Sequence, residues 1–504
     1  MKITQKKPGT QRGQKGQSGQ REKGKKMHHQ MSSASFDVIV VGGGTAGLRL
    51  GLSLARKGKQ TLLVEPGRPG GTCLHTGCIP TKAMLHAAET YRSVARAPSI
   101  GIRTAASLDI PRMMRQVRSF IRKGQAHIDR SIDASDLTVW KGRASFLSKD
   151  TLRVGRKTVK GAIIVICTGS RNRIPLIKGL ENAGFLTNES VFHLKTLPRT
   201  LTLIGGGYIS MELATFFSSL GTRVTILEAL PQVLSSLDED VRDVLLEGLR
   251  SRGTVILTGV SIAEVKRQGR RIILRYRPAG KGTAKGRLKS ITSDALLVAA
   301  GRTPNTDGLG LEQAGIRTSP EGGIIIDKKF QTTNPSVYAV GDVTGKAMFA
   351  HAAKRQARLL LSRIVGSRSR HGDHLDLSLV PWAVFTSPPI AGVGLTEQQA
   401  TKGKLLFEIY KASFAKAGRA AIIGETEGFI KLIVGMGRKG SAGRRTRQRI
   451  LGCTIVGPRA DELIHEYVAV MNSSSPFLET ITRTVHVHPT LAEAAETFRK
   501  VCRR

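Results

Sequence analysis

Short apolar runs that end in glycine-rich turns open the folded part of the chain. Residues 37–41, DVIVV, are almost wholly apolar, and the turn that follows contains Gly42, Gly44 and Gly47. An Ala- and Leu-rich stretch comes next, and then a second apolar run, TLLVE, which ends at Glu65. An order of strand, glycine turn, helix and strand predicts a βαβ unit that binds a dinucleotide.

The same pattern recurs about 160 residues later. TLTLIGGGYIS places Gly205 and Gly207 after an apolar run, and VTILE ends at Glu228. Glu65 follows Gly42 by 23 positions, and Glu228 follows Gly205 by the same number. Ser210 stands where the first copy has its third glycine. Two copies with one spacing predict two dinucleotide sites, with a small residue still packing at Ser210.

Each residue type in the pattern has a physical role. The first glycine permits a tight turn, the second lets the backbone approach a pyrophosphate, and the third allows close packing of helix and strand. The helix N-terminus faces the phosphates, and the final acid binds the ribose hydroxyls. Two sites imply two dinucleotides, a tightly held flavin and an exchangeable nicotinamide. Glu228 would repel a 2′-phosphate, and residues 229–233 contain no Arg, so NAD is favoured over NADP.

Two of the five cysteines lie close together in GGTCLHTGCIPTK, residues 70–82. A zinc site needs about four ligands, and no second ligand cluster lies near Cys73 and Cys78. Cys78 precedes AMLHAAETYRSVARA, which has the composition of a helix, and a thiol near a helix N-terminus is stabilised as a thiolate. A redox-active cysteine pair is the favoured interpretation, and a metal site and an inert pair are the alternatives.

GGTCLHTGCIPTK resembles the active-site signature of the class I pyridine nucleotide–disulfide oxidoreductases, and the resemblance extends over about residues 36–504. It implies an α/β fold with two Rossmann-like domains, for FAD and NAD, and a C-terminal α+β dimerisation domain. The expected divisions are a disordered basic tail (1–34), an FAD-binding domain (35–185 and 301–373), an NAD-binding domain (186–300) and a dimerisation domain (374–504). It also implies a homodimer.

The resemblance assigns the acid–base chemistry as well. Cys78 would lie against the flavin, and Cys73 would exchange electrons with the substrate. HVHPTLAEAAE resembles the family's C-terminal His-Pro motif, so His488 would be the base and Glu493 would orient it. In this family the base reaches the disulfide of the other subunit. His486, two residues earlier, is expected to be structural.

The other residues that the resemblance and the two glycine motifs assign to the cofactor sites come from segments such as ICTGS, VAAGRTPNT, VYAVGDVTG and MFAH. These further cofactor-binding candidates are Thr72, Lys82, Ala144, Thr168, Gly169, Ile209, Glu212, Val260, Gly301, Arg302, Asp342, Ala350 and His351. No metal site is expected.

The substrate is inferred from finer features. GGGYISMELA with Glu228 resembles the family's dihydrolipoyl dehydrogenase branch, so oxidation of dihydrolipoamide by NAD is expected, with a lipoyl domain as one candidate partner. The chain ends in VCRR, without the C-terminal cysteine pair of mercuric reductases. Pro389 stands where the dehydrogenase pattern has an acid. Reduction of metal ions or of another disulfide is the alternative.

The formal charge of +42 raises a different possibility. Residues 266–289 carry ten Lys or Arg and residues 438–449 carry six, with no acid in either run. Such surfaces attract nucleic acid, anionic lipid or acidic proteins. A further alternative is therefore a basic protein that binds one of these partners and has lost its catalytic activity. An anionic partner for the N-terminal tail is a hypothesis. Solvated basic loops are the favoured interpretation, since no nucleic-acid module accompanies the charge.

The location of the protein is an expectation from composition. No apolar run approaches the roughly 18 residues that a membrane span needs. The N-terminus is basic but has no apolar stretch, which disfavours a secretory signal. Few cysteines in a long chain are typical of a reducing compartment, so a cytoplasmic protein is expected.

Overall fold

The computed structural model describes residues 34–278, 286–367, 375–436 and 447–503. The predicted tail lies outside these residues, except for Ala34, which already belongs to the first strand. Parts of both basic runs, residues 279–285 and 437–446, also lie outside them. Within the described ranges, no helix is long and apolar enough to cross a membrane.

The first domain is built on a sheet of seven strands. Its order is β3-β2-β1-β6-β5-β4, and β16 pairs with β6. The central pairs, β1 with β2 and β1 with β6, are parallel. The strands are β1 (Ala34–Val41), β2 (Thr61–Glu65), β3 (Thr138–Lys141), β4 (Ala144–Phe146), β5 (Thr151–Val154), β6 (Lys157–Ile166) and β16 (Val337–Ala339).

The helices of this domain cover the sheet and carry the cysteines. Val38, Ile39 and Val40 of β1 are all buried, as expected for a parallel strand with both faces covered. The short pair β7 (Ser170–Asn172) and β15 (Arg302–Pro304) lies where the chain leaves the domain and returns to it. The helices are α1 (Thr45–Ala55), α2 (Gly71–His75), α3 (Cys78–Arg96), α4 (Ile110–Asp133) and α7 (Ala350–Ile364).

The second domain repeats the βαβ unit on a smaller scale. Its four-stranded parallel sheet has the order β10-β9-β8-β14, and an antiparallel sheet of three strands, β11-β12-β13, lies beside it. Phe216 and Phe217 of α5 are fully buried against the parallel sheet. The elements are β8 (Thr200–Ile204), α5 (Tyr208–Ser219), β9 (Arg223–Leu227), α6 (Glu239–Arg250), β10 (Val255–Leu257), β11 (Val260–Gln268), β12 (Arg271–Pro278), β13 (Lys289–Ser293) and β14 (Ala295–Val298).

The third domain is an antiparallel sheet of six strands in the order β17-β18-β21-β20-β19-β22, with helices packed on it. The second basic run lies in the connection between β20 and β21, which pair directly. The elements are β17 (Trp382–Val384), β18 (Ile390–Gly394), α8 (Glu397–Lys402), β19 (Phe407–Ser413), α9 (Gly418–Ile423), β20 (Phe429–Gly435), β21 (Ile450–Val456), α10 (Ala460–Met471), α11 (Leu478–Thr482) and β22 (Arg499–Arg503).

A buried ionic cluster joins the second and third domains. The Lys431 Nζ atom of β20 lies 2.6 Å from Glu397 Oε2, 3.0 Å from Asp240 Oδ1 and 3.2 Å from Asp238 Oδ2. Lys411 Nζ lies 2.6 Å from the other oxygen of Asp240. Asp238 also accepts the backbone N–H of Glu397 at 3.0 Å. Helix α6 of one domain is thus held at its start by side chains of the other.

Candidate active site

A cavity of about 1660 Å³ lies between the two βαβ units and strand β17 of the third domain. Nearly all of the residues that the sequence assigned to the cofactor and cysteine sites line it. They are Gly42, Gly44, Glu65, Thr72, Cys73, Cys78, Lys82, Ala144, Thr168, Gly169, Gly205, Gly207, Ile209, Glu212, Glu228, Val260, Gly301, Arg302, Asp342 and Ala350. The four exceptions, Gly47, His351, His488 and Glu493, lie elsewhere.

The first glycine of each motif has the same conformation. Gly42 has φ +105° and Gly205 has φ +104°, a region that favours glycine. A Cβ atom on Gly42 would lie 2.5 Å from the carbonyl oxygen of Cys167, and one on Gly205 would lie 2.4 Å from that of Ala299. Each turn therefore requires glycine for both its conformation and its space, as the sequence predicted.

The acid that ends each βαβ unit binds the backbone of its own glycine turn. Glu65 accepts the N–H of Gly43 at 2.7 Å, and its other oxygen accepts the N–H two residues after Glu65 at 2.9 Å. Glu228 accepts the N–H groups of Gly206 at 2.5 Å and Leu230 at 2.7 Å. The constant spacing between glycine and acid thus has a structural cause in addition to ribose binding.

The third position of each motif lies beneath the turn. Gly47 does not line the cavity, and a Cβ atom there would lie 1.9 Å from the carbonyl oxygen of Gly42. This close approach is the packing role that the sequence assigned to it. Ser210, its counterpart, is fully buried, and its hydroxyl has no hydrogen-bond partner in the described part of the chain. The second turn therefore accommodates a small polar residue without using its hydroxyl.

Both turns are shaped to receive a pyrophosphate. Helix α1 begins after Gly44 and helix α5 begins after Gly207, and neither helix has a side-chain cap at that end. The first backbone N–H groups of each helix therefore point into the cavity without a side-chain acceptor, and the helix dipole adds to their attraction for anions. The residues present fit an FAD in the first unit and a nicotinamide dinucleotide in the second.

The two predicted cysteines face each other across a helix break. Cys73 lies in α2, Cys78 is the first residue of α3, and the two thiols form a hydrogen bond. This hydrogen bond lowers the pKa of Cys73 to about 6 against the opposing effect of burial. The Thr45 hydroxyl and the ammonium groups of Lys354 and Lys82 act in the same direction.

The sequence analysis placed a stabilised thiolate on Cys78 because this residue lies at the start of a helix. In the structure the hydrogen bond with Cys73, followed by burial, raises the pKa of Cys78. One proton is shared by the two sulfurs, so the reduced pair titrates as a unit. Which of the two sulfurs carries the thiolate stays a prediction.

An ion pair brings together two predicted residues that are 130 positions apart. Lys82 Nζ lies 2.8 Å from both carboxylate oxygens of Glu212. The Glu212 side chain is 9% exposed and that of Lys82 is 34% exposed. Phe385, which the sequence analysis did not select, lies against both: its N–H donates to Glu212 at 3.1 Å and its ring centroid is 4.4 Å from Lys82 Nζ.

A second polar network fixes the return between the domains. Arg302 Nε donates to the Ser170 hydroxyl at 2.8 Å, and that hydroxyl donates to Asp342 at 2.7 Å. Thr168 donates its hydroxyl to the carbonyl of Asn305 at 2.7 Å. Ser170 was missed, although it is the last residue of the quoted ICTGS segment. Its role depends on two distant partners that no local pattern reveals.

His351 lies outside the cavity wall. Its Nε2 atom donates to the carbonyl oxygen of Pro381 at 2.6 Å, and burial lowers its pKa. Met348, Phe349 and Ala350 of the same segment do line the cavity. The MFAH segment thus reaches the predicted place through its first three residues, and its histidine binds the third domain.

The predicted acid–base pair is formed but does not line the cavity that holds the cysteines of its own chain. His488 Nδ1 and Glu493 Oε1 are 2.6 Å apart, and the other oxygen of Glu493 accepts the Thr490 N–H at 2.6 Å. The hydrogen bond with His488 holds the pKa of Glu493 below its usual value. The His488 side chain is 80% exposed. His486 is 6% exposed and pairs with Glu466 at 3.1 Å, which fits a structural role.

A thiol pair between two dinucleotide cradles defines a class of protein, the flavin-linked disulfide oxidoreductases. The pyridine nucleotide-disulphide oxidoreductase family model matches residues 36–357, and the model of the family's dimerisation domain matches residues 380–499. The chain therefore belongs to the pyridine nucleotide-disulphide oxidoreductase family. It is an enzyme of the flavoprotein type, and the family implies FAD and a nicotinamide dinucleotide as its cofactors.

The chain is similar in sequence and in structure to individual members of the family. The chain is 33% identical to a dihydrolipoyl dehydrogenase of Chlamydia trachomatis, over 91% of this chain and 95% of the relative. It is 31% identical to that of Geobacillus stearothermophilus, over 91% and 94%. It also resembles the HOCl-induced flavoprotein disulfide reductase RclA from Escherichia coli, solved as a Cu(II) complex, with a TM-score of 0.78, 28% identity and coverage of 92% and 98%.

Proposed function

We propose that the chain is an FAD-dependent dihydrolipoyl dehydrogenase that oxidises dihydrolipoamide with NAD. The observation that carries the proposal is the hydrogen-bonded Cys73–Cys78 pair on the wall of a cavity between two dinucleotide cradles. Relatives of that name at 31–33% identity over about nine-tenths of the chain support the substrate.

The cysteines perform the exchange with the substrate. In the oxidised enzyme Cys73 and Cys78 form a disulfide, and a substrate thiolate attacks Cys73 Sγ so that the bonding pair leaves with Cys78. The second substrate thiolate then displaces Cys73 and closes the substrate disulfide, which leaves both cysteines reduced. A bound FAD would supply the two-electron chemistry that links the reduced cysteine pair to NAD. The lowered pKa of Cys73 suits it to this exchange, because Cys73 leaves as a thiolate in the second step and a thiol of low pKa is the better leaving group.

His488 removes the protons that the substrate dithiol releases. Glu493 accepts from Nδ1 of the imidazole, which leaves Nε2 free to accept a substrate proton. Its exposed position, away from the cavity of its own chain, supports a homodimer in which His488 serves the cysteines of the other copy. The dimerisation-domain match over residues 380–499 supports the same assembly.

Glu228 selects NAD in this proposal. Its two oxygens accept backbone N–H groups on either side of the second cradle and leave a negative charge where the adenine ribose binds. A 2′-phosphate would meet this charge, and residues 229–233, ALPQV, offer no cation to offset it.

The test is anaerobic reduction of NAD by dihydrolipoamide with the purified, FAD-loaded protein. Cys73→Ser should lose this turnover by about 1000-fold or more, because the serine hydroxyl cannot form the disulfide. NADH oxidation by an artificial electron acceptor, which needs only the flavin, should be retained. Wild-type protein with bound FAD and a reducible disulfide but no dihydrolipoamide turnover would reject the substrate.

Reduction of a metal ion or of another disulfide is the second candidate. Two observations favour it: the resemblance to RclA, which has been solved as a Cu(II) complex among other forms, and Pro389, where the dehydrogenase pattern has an acid. NADH- and NADPH-driven reduction of Cu(II) and Hg(II), measured beside the dihydrolipoamide assay, distinguishes the two. Fast metal turnover that is lost in Cys73→Ser, without dihydrolipoamide turnover, would establish the second candidate.

A further inference from the structure

Strand β17 of the third domain lies across the start of helix α5 of the second. Tyr208 and Glu212 are four residues apart on α5 and so share one face of the helix. The Trp382 ring stacks on that of Tyr208, with a centroid separation of 6.2 Å and an interplanar angle of 7°. The Phe385 N–H donates to Glu212 at 3.1 Å. One face of helix α5 therefore contacts the segment 382–385 at two points, Tyr208 and Glu212.

Phe385 also contacts the cation that pairs with Glu212. Its ring centroid lies 4.4 Å from Lys82 Nζ, within the range of an attractive cation–π contact. The same residue thus holds the carboxylate through its backbone and the ammonium group through its ring. Phe385 itself does not line the cavity, whereas Lys82 and Glu212 do.

The position of Trp382 depends on a glycine in the neighbouring strand. Trp382 pairs with Gly392 of β18, and a Cβ atom on Gly392 would lie 2.4 Å from Trp382 Cζ2. The absence of a side chain there lets the indole lie flat between the sheet and Tyr208. Strand β17 thereby packs between the sheet of the third domain and helix α5, and Phe385 follows directly after this strand.

We propose that Phe385 is a positioning residue that fixes the Lys82 ammonium group at the cavity wall, with Trp382 holding its strand in place. Lys82 is an electrostatic neighbour of both cysteines, and its charge favours their thiolate forms. Loss of the Phe385 ring leaves Lys82 paired with Glu212 but unsupported on its other side, so the ammonium group can move away from the cysteines and stabilise the Cys73 thiolate less. The inference rests on the cysteine site of the proposed function but not on the identity of its substrate.

The test measures the pH dependence of Cys73 alkylation by iodoacetamide in the reduced holoenzyme, followed by mass spectrometry. Phe385→Leu should raise the midpoint by about 0.5 pH units, and Phe385→Tyr, which keeps the ring, should leave it unchanged. Lys82→Met marks the full effect of losing the ammonium group. Because alkylation needs no electron donor, failure of the dihydrolipoamide assignment does not affect the result.

Phe429→Leu is the matched control. Its ring also lies 4.4 Å from a lysine, Lys411, but away from the cavity, so its loss should leave the midpoint unchanged. A Phe385→Leu protein that is less stable but titrates like the wild type would show a merely structural role and overturn the proposal. If Phe385→Leu does not fold, Phe385→Met, which keeps more of the volume without a ring, is judged by the same criterion.

Discussion

One proton shared by two sulfurs sets the charge of the reduced cysteine pair. The hydrogen bond lowers the pKa of Cys73 to about 6 and raises that of Cys78, so at neutral pH the reduced pair carries one negative charge. Cys73 is the sulfur that the proposed mechanism exposes to the substrate. The sequence showed the positions of the two sulfurs but not the hydrogen bond between them.

Removal of the Cys78 thiol should remove the stabilisation of the Cys73 thiolate. Cys78→Ala deletes the thiol that stabilises the Cys73 thiolate, so the pKa of Cys73 should rise from about 6 toward the ordinary thiol value of about 8.5. In wild-type reduced protein, alkylation of Cys73 should increase as the pH rises through about 6, because the thiolate reacts and the thiol does not. An unchanged midpoint in Cys78→Ala would contradict the hydrogen-bond explanation.

The orientation of His488 by Glu493 leads to a kinetic prediction. Glu493→Gln keeps the size of the side chain but removes the carboxylate that holds the imidazole by its Nδ1 atom. Turnover should fall by about tenfold to 100-fold with little change in KM, because the imidazole loses the charged acceptor that orients it. Steady-state kinetics measure both parameters. Glu466→Gln, beside the structural His486, serves as the control and should leave turnover unchanged.

At the level of secondary structure, the local sequence predicts strands better than it predicts their ends. The apolar run 37–41 located β1, but the strand begins at Ala34 because residues 34–36 pair with residues 159–161 of β6. That pairing is made by the backbone and leaves no trace in local hydropathy. The glycine turns were predictable because their conformations and close contacts admit no larger residue.

Contacts between domains were not predictable, because their partners are remote in sequence. Asp238, Glu397 and Lys431 form one buried cluster, yet each lies in a different element and none belongs to a recognisable motif. Burial of Lys431, which is 1% exposed, is tolerated because three carboxylates surround it. The same holds for Phe385, whose two partners lie in the other two domains.

Lys431→Met should therefore destabilise the protein strongly. It leaves three carboxylates at a buried boundary without their central cation, a change that costs about 3–5 kcal/mol in comparable cases. Urea denaturation measures the free energy of unfolding, or the first transition if the domains unfold separately. Lys160→Met, which removes an exposed ion pair with Asp150, is the control and should cost less than about 1 kcal/mol. Equal effects of the two substitutions would contradict the role of burial.

The ionic cluster around Lys431 should make the free energy of unfolding depend on pH in the acidic range. Burial opposes ionisation of Asp240, but hydrogen bonds from Lys411 and Lys431 outweigh it and hold its pKa below the usual value. A group with a depressed folded pKa contributes fully above its unfolded pKa, about 4, and loses that contribution as the pH falls further. Lys431→Met should therefore flatten the loss of stability below about pH 4, as followed by urea denaturation at several pH values.

For the whole molecule, the local motifs predict the parts of the site, and their assembly across two copies was predicted only through the family resemblance. The cavity gathers the glycines, acids and cysteines from two domains, as their motifs implied. His488 and Glu493 form their predicted pair but remain on an exposed surface of the chain. The spacing of a motif indicates which side chains act together, whereas the expectation that His488 serves the other copy came only from the family resemblance.

A mixture of two inactive variants decides whether the site spans two subunits. Cys73→Ser and His488→Gln should each be inactive alone. If His488 serves the cysteines of the other copy, a mixed dimer contains one intact Cys73 opposite one intact His488. Co-expression in equal amounts gives mixed dimers as half of the total, each with one working site of two, so about a quarter of wild-type turnover should return. If His488 acts within its own chain, no combination restores a complete site, and the mixture should remain as inactive as its components.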